Sequence, residues 1–258
     1  MSSILLSIQN SVAIITLNRP DKFNSFNRSM ALLLQQTLTD CANNDTIRCI
    51  VITGNGKAFS AGQDIAELVG DDALKIETIL SEHYNPIIQL IRNIGKPIIA
   101  AVNGVAAGAG ANIALCCDIV LANEQASFIQ AFSKIGLVPD SAGTYFLPRL
   151  IGFQKASALM MTGDKVSATE AERMGMVFKV IAAADFEAAV LAQANTLAAM
   201  PTLGLAYTKE ALNNTMNNNL VSQLAEEDRL QRIAAATSDF NEGITAFLEK
   251  RTPLFTGK

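Results

Sequence analysis

The chain has 258 residues, half of them hydrophobic, with 20 Lys and Arg against 24 Asp and Glu and a net charge of -4. That is enough apolar material for one sizeable core, and the charge excludes the broad basic field that a nucleic-acid partner requires, while leaving room for a ligand with only a few phosphates. The four cysteines, Cys41, Cys49, Cys116 and Cys117, form no C-x-x-C pair, so buried thiols are expected and no metal site.

The first eleven residues lack a basic region and a long apolar run, so no signal peptide is expected and the cytoplasm is the expected compartment. Ile4 to Ile8 and Val12 to Leu17 read as two strands of a hairpin, separated by the turn-prone Gln9-Asn10-Ser11. Past the Arg19-Pro20-Asp21 breaker, Asn27 is placed to cap an amphipathic helix ending near Ala42, with Met30, Leu33, Leu34 and Leu38 close to one face. Cys49 to Thr53 reads as a strand and Gly54 to Gly62 as a loop. A mostly helical region follows, with an apolar stripe at Ile79, Ile87, Leu90 and Ile91.

Ile98 to Val102 is a second continuously apolar strand. Such runs without alternation indicate strands buried on both faces, with helices packed outside. Ala106 to Cys116 is compatible with a helix and Asp118 to Ala122 with another strand. The uncharged stretch from Pro97 to Cys117 also invites a membrane reading, but its two asparagines, its glycines and its barely sufficient length favour core. From about Asp185 the chain is rich in Ala, Leu, Met and Glu, with breakers at Pro201 and at Asn213 to Asn219, which predicts three or four helices and no strands. The expected organisation is an α/β core over residues 1–195 and a helical region over residues 196–258.

Two glycine-containing segments, Gly54 to Asp64 and Asn103 to Asn112, each follow a buried strand and place free N–H groups where a helix starts. Converging on one oxygen they would form an oxyanion hole; separately they are tight turns. A phosphate loop is excluded because Gly56-Lys57 is followed by Ala58, and a dinucleotide fingerprint is weak because Ile113 stands where a small residue is needed. His83 is the only histidine, and no nucleophile turn accompanies it, so it reads as a packing or solvated side chain. Asp140 follows Pro139 ahead of an expected helix from Ser141 to Leu150. It reads either as an N-cap or, beside Leu137, Val138 and Phe132, as a partly desolvated general base.

Asn18-Arg19-Pro20, Ala58 to Asp64 and Ala101 to Gly110 resemble the crotonase (enoyl-CoA hydratase/isomerase) superfamily, and the likeness continues through Phe128 to Gly143, Glu170 to Gly175 and Ala246 to Arg251. It implies a spiral of ββα units with a helical C-terminal trimerisation region. It also implies an acyl-CoA thioester substrate, no cofactor beyond the CoA that belongs to the substrate, and a homotrimer or dimer of trimers. By the resemblance, the amides of Gln63 and Ala109 hold the thioester oxygen, Ala61, Asp64 and Ile65 bind CoA, and Phe247 and Lys250 lie near its nucleotide. Asp64 and Lys250 also have plain readings as a cap and a solvated helix end. The two glutamates of the family's hydratases correspond here to Asn112 and Phe132, neither of which ionises. That departure moves attention to Asp140, where isomerase members carry an acid, and the Gly136 to Ser141 phrase looks most like the branch acting on ring-1,2-epoxyphenylacetyl-CoA in phenylacetate breakdown. The expected activity is isomerisation of that epoxide to an oxepin, or of a 3-enoyl-CoA to a 2-enoyl-CoA. The alternatives are an enoyl-CoA hydratase and a non-catalytic acyl-CoA binder or RNA-associated scaffold, the last disfavoured by the charge.

Overall fold

The structure is a computed structural model that describes residues 2–70 and 73–258. The hairpin is β1 (Ile4–Gln9) and β2 (Val12–Leu17), paired antiparallel from Ile4 against Leu17 to Gln9 against Val12. Asn10 and Ser11 turn it at positive φ. Helix α1 (Arg28–Asn43) starts where Asn27 Oδ1 accepts the N–H of Met30, and it buries Met30, Leu34 and Leu38. Its Leu33 is exposed.

Three consecutive units then repeat one plan, a long strand followed by a short one and a helical segment. The first is β3 (Cys49–Gly54), β4 (Ala58–Ser60) and the region holding α2 (Ile76–Thr78), a π-helical turn over Ile79–Tyr84, and α3 (Asn85–Asn93). The second is β5 (Ile98–Val102), β6 (Val105–Ala107) and α4 (Ala109–Leu115). The third is β7 (Ile119–Asn123), β8 (Ser127–Ile129), then α5 (Gly143–Ile151) and α6 (Phe153–Thr162). After them come β9 (Lys165–Ser167), α7 (Ala168–Arg173) and β10 (Lys179–Ile181). The long strands and the three-residue β10 form a six-stranded sheet in the order β1-β2-β3-β5-β7-β10, parallel except for the hairpin, and the other short strands form a second sheet in the order β4-β6-β8-β9. This is the crotonase-type spiral of ββα units that the resemblance implies.

Alternation explains why β3 and β5 look uniformly apolar. Val51 and Ile99 pack in a cluster with Phe186, Val190, Ala194 and Ala198 of α8 (Phe186–Ala199). Ile50, Ile52, Ile98 and Ala100 face the other way into the main core with α1 and Ile87 and Ile91 of α3. Each buried Ile or Val is worth about 1.5–3 kcal/mol, so a strand of such residues is stable only as the middle layer of a sandwich. Four helices close the chain: α8, α9 (Thr202–Thr215), α10 (Leu220–Ala234) and α11 (Ser238–Glu249). Position 195 lies inside α8, which packs on the main sheet.

Three expectations change. The segment from Gly54 to Gly62 contains β4, the segment from Ala106 to Cys116 begins inside β6, and the strand expected at Asp118 starts one residue later. Strands of three residues are too short to leave a periodic signature. Pro97 to Cys117 folds as β5, β6 and α4, and among the described residues no single helix is long and apolar enough to cross a membrane.

Candidate functional site

The short strands deliver the site. Leaving β4, the chain passes Gly62 at φ 87. Phe26 donates its N–H to Gly62 O at 2.7 Å and accepts from Asp64 N at 2.8 Å, the pattern of a parallel bridge between Phe26 and Gln63. In such a bridge Gln63's own N–H points away from Phe26. Leaving β6, the chain passes Gly108 at φ 53 and ψ -129, a conformation that disfavours any side chain. Asn112 N then closes the first turn of α4 on Gly108 O at 3.2 Å, which leaves the N–H of Ala109 among the helix's free donors. The two segments touch: a Cβ on Gly62 would sit 2.9 Å from Ala107 O and 3.2 Å from Ala109 N. A Cβ on Gly110 would likewise meet Ser60 O at 2.5 Å.

Asp140 reaches the same place from the segment between β8 and α5. It does not cap a helix. Helix α5 begins at Gly143, with Ala142 at its N-cap and no side-chain capping bond, because Ser141 at φ 50 and Ala142 at φ 58 insert a left-handed step between acid and helix. The carboxylate instead accepts the Ser141 hydroxyl at 2.7 Å. Burial pushes its pKa above the ordinary 3.8, against the lowering pull of that hydroxyl.

Gln63, Ala109 and Asp140 line one cavity of about 510 Å³, with Ala61 and Ile65. Its remaining wall is mostly apolar, including Leu68, Ile76, Ile79, Leu80, Phe132 and Val138, with Lys134 as an added cation. The segment from Ala66 to Ile91 forms part of that wall, and residues 71 and 72 within it lie outside the described residues. Two main-chain donors beside one partly desolvated carboxylate can hold an oxygen that gains negative charge while a neighbouring carbon gains or loses a proton.

Asp64, Phe247 and Lys250 do not reach this cavity. Asp64 is committed to Arg19 at 2.8 Å and to the N–H of Ala66 at 3.2 Å, so its carboxyl lies below the ordinary range because Arg19 and that N–H outweigh desolvation. Phe247 is 83% exposed on α11, and Lys250 ends that helix in a left-handed conformation. Asn112 is buried behind the site and Phe132 stands in its wall. His83 is a packing residue, fully buried in the π-helical turn, with Nε2 3.4 Å from Arg28 Nη1. Burial holds its pKa below the ordinary 6.5, Glu67 pulling upward and Arg28 downward.

Tyr84 is a cavity residue that sequence reasoning did not single out. Its position four residues after Leu80 in an amphipathic run reads as core, and a π-helical turn, which the local sequence does not announce, accompanies its placement.

A sequence model of the family described as enoyl-CoA hydratase/isomerase matches residues 7–258. The chain is 42% identical over 261 residues to the 1,2-epoxyphenylacetyl-CoA isomerase of Escherichia coli (strain K12), covering 100% of both. It is 36% identical over 258 residues to the 2,3-dehydroadipyl-CoA hydratase of the same organism, again covering 100% of both. Among solved structures, an enoyl-CoA hydratase from Bacillus anthracis superposes with a TM-score of 0.93 at 32% identity, with 100% of each chain covered.

Proposed function

The chain belongs to the enoyl-CoA hydratase/isomerase family, and we propose that within it the protein is an acyl-CoA isomerase using Asp140 as the proton carrier. The carrying observation is that Asp140 shares a cavity with the Gln63 and Ala109 amides; by the resemblance, Asn112 and Phe132 stand where the hydratases carry their two glutamates, and neither side chain ionises.

With a 3-enoyl-CoA, the thioester oxygen accepts the N–H groups of Gln63 and Ala109. Asp140 removes a proton from C2, and the electron pair moves into the thioester as an enolate held by those two donors. The carboxyl then returns the proton to C4 as the double bond settles between C2 and C3. No proton is gained or lost, so no cofactor enters this scheme. The apolar wall suits a hydrocarbon or aryl acyl group and limits the water that would intercept the enolate.

The 42% identity with an epoxyphenylacetyl-CoA isomerase supports the ring epoxide as substrate, rearranged to the oxepin. Ala61 and Ile65 stand at the cavity and are assigned to CoA contact; Asp64 contributes through the main chain it caps. Phe247 and Lys250, remote from this chain's own cavity, are assigned to the nucleotide end of CoA in a neighbouring copy, within a homotrimer or dimer of trimers. Exposed apolar side chains at Phe153, Met161, Leu220, Val221, Phe247 and Leu248 suit such self-association.

The test is a panel of aryl-epoxide, 3-enoyl and 2-enoyl CoA thioesters on wild type and Asp140→Asn. The expected result is isomerisation that falls by at least about 100-fold in the variant. Turnover within a few-fold of wild type removes Asp140 from the role. A second reading, hydration of a 2-enoyl-CoA, is favoured by the 36% identity with a hydratase; water addition to crotonyl-CoA that is lost on replacing a carboxylate would establish it. Tight CoA binding without any turnover would instead indicate a non-catalytic binder.

A further inference from the structure

Helix α4 carries Ala109 at its first position and, one turn later, Asn112, whose side chain is 1% exposed. Both ends of that amide are engaged. Nδ2 donates to the main-chain oxygen of Asp140 at 2.8 Å, and Oδ1 accepts from Gln130 Nε2 at 2.8 Å. The Asp140 oxygen also accepts the N–H of Gly143 at 2.8 Å. Between Asp140 and Gly143 run Ser141 and Ala142, consecutive non-glycine residues in the left-handed region, a conformation that persists only where the surroundings enforce it. Room for the amide comes from Gly143, where a Cβ would lie 2.3 Å from Asn112 Nδ2.

We infer that Asn112 is a positioning residue that holds Asp140 at a fixed offset from the Ala109 amide, an inference that rests on the isomerase reading above for its catalytic consequence. The base and one oxyanion donor belong to different chain segments, and the Asn112 side chain joins them directly. The helix that presents the Ala109 N–H grips, through Asn112, the carbonyl of the residue whose carboxyl moves the proton. The task needs a donor toward Asp140 and an acceptor toward Gln130 in the same planar group, which an amide provides and which neither leucine nor an ionised aspartate provides. Without the bond, the Asp140 oxygen loses a partner inside the protein, the left-handed step relaxes, and the carboxyl swings relative to the donors. Misplacement of a catalytic group by 1 Å can lower turnover by about 100-fold.

The experiment pairs Asn112→Leu with Asp140→Asn in a double-mutant cycle on the 3-enoyl-CoA reaction, and determines the crystal structure of Asn112→Leu. Asn112→Ala, which adds no apolar bulk against Gln130, replaces it if the leucine variant does not fold. We expect kcat to fall about 10- to 100-fold with KM within about 3-fold of wild type. The same substitution should have no further effect in the Asp140→Asn background, because the group it positions is no longer a base. A role in folding alone would lower the residual activity of Asp140→Asn by the same factor as wild type, and that outcome overturns the inference. So does a kcat within about 2-fold of wild type, or a crystal structure in which residues 140–142 keep their place. If wild type itself isomerises no thioester, the functional reading fails, and the position of residues 140–142 in the variant crystal structure then decides the inference by itself.

Discussion

The phenol of Tyr84 donates a 2.9 Å hydrogen bond to the side-chain carbonyl of Gln63, whose N–H is assigned to the thioester oxygen. The same amide group gives its Nε2 to Glu67 at 3.0 Å, and Glu67 accepts the N–H of Arg28 with both oxygens, at 2.8 and 3.1 Å. Gln63 is thereby tied at both ends of its amide, although its side chain takes no chemical part in the scheme. Tyr84 is fully buried, packed edge-on against Phe26 at 6.0 Å between ring centroids. Burial first, then the charges of Asp140, Glu67 and Asp64, push its pKa well above the ordinary 10.0, so it stays a donor throughout the working range.

Tyr84→Phe is therefore expected to leave the fold intact while loosening the Gln63 segment. Stability should fall by about 1–3 kcal/mol for the lost bond and the stranded amide oxygen. We expect kcat to fall about 10-fold, short of the roughly 100- to 1000-fold that follows outright removal of an oxyanion donor. Thermal unfolding and steady-state kinetics check both; unchanged kcat would show that Gln63 needs no such brace.

Gly62 tests the convergence of the two amides directly. Any side chain there is strained by φ 87, and its Cβ would push into Ala107 O at 2.9 Å and Ala109 N at 3.2 Å. Gly62→Ala should cost about 1–3 kcal/mol in backbone strain and separate the two donors, with kcat lower by about 100-fold. The control is Gly70→Ala, at φ 91 but with none of the described residues within 4 Å of its Cβ. It carries comparable backbone strain without the collision, so activity close to wild type in that variant assigns the Gly62 effect to the site.

Much of this organisation is legible in the residues. The hairpin follows from two apolar runs around Gln9 to Ser11, and α1 from Asn27, whose short polar side chain reaches the N–H of Met30. Strands β3 and β5 are legible because both of their faces are buried, which leaves continuous apolar runs. The short strands β4 and β6 are not, since each derives its stability from a second sheet assembled out of segments far apart in the chain. The N-cap reading of Asp140 fails for a similar reason: Ser141 and Ala142 give no local sign of the left-handed step that Asn112, from another helix, helps to impose. Tyr84 looks like filler in one dimension and Asn112 reads there only as a residue that cannot ionise, because what distinguishes each is the partner across the fold. Phe247 and Lys250 are exposed within a single chain, and no local pattern says what a neighbouring copy would bring to them.

Helix α9 is tied to the core by a buried cation. Lys209 of α9 is 7% exposed. It donates to Asp118 Oδ2 at 2.8 Å and to Ile91 O at 2.7 Å, while Asp118 also receives Arg92 at 3.0 Å and the N–H of Ile98 at 2.9 Å. Burial lowers the Lys209 pKa, with Asp118 pulling the other way. Lys209→Met keeps the stem and removes the charge, which leaves Asp118 and Ile91 O short of a donor. We expect a loss of about 3 kcal/mol, the lower end for one partner of a buried pair because Arg92 remains. Hydrogen exchange should show α9 losing protection before the main sheet; uniform protection changes would place the bond outside the docking of that helix.

Asp140 carries a last prediction that separates stability from function. Its carboxyl titrates above 3.8 in the folded protein because burial disfavours the charge, whereas the unfolded chain ionises near the ordinary value. The folded state therefore holds its proton to higher pH, and the contribution of the neutral acid to stability is complete below the unfolded pKa and lost as pH rises through the folded one. Asp140→Asn stays neutral at every pH and can still accept the Ser141 hydroxyl. It should match wild type at pH values below the unfolded aspartate pKa and become the more stable protein near neutrality, by about 1.4 kcal/mol for each unit of displacement. The rate has the opposite requirement, since only the ionised carboxylate can take the proton, so kcat/KM of wild type should rise with pH along a limb displaced upward from 3.8. Thermal unfolding of both proteins across pH, alongside the wild-type rate profile, measures the two together. A variant less stable than wild type at neutral pH would mean that the charge is better solvated than its burial implies, and with that the basis for a strengthened base at Asp140 would be gone.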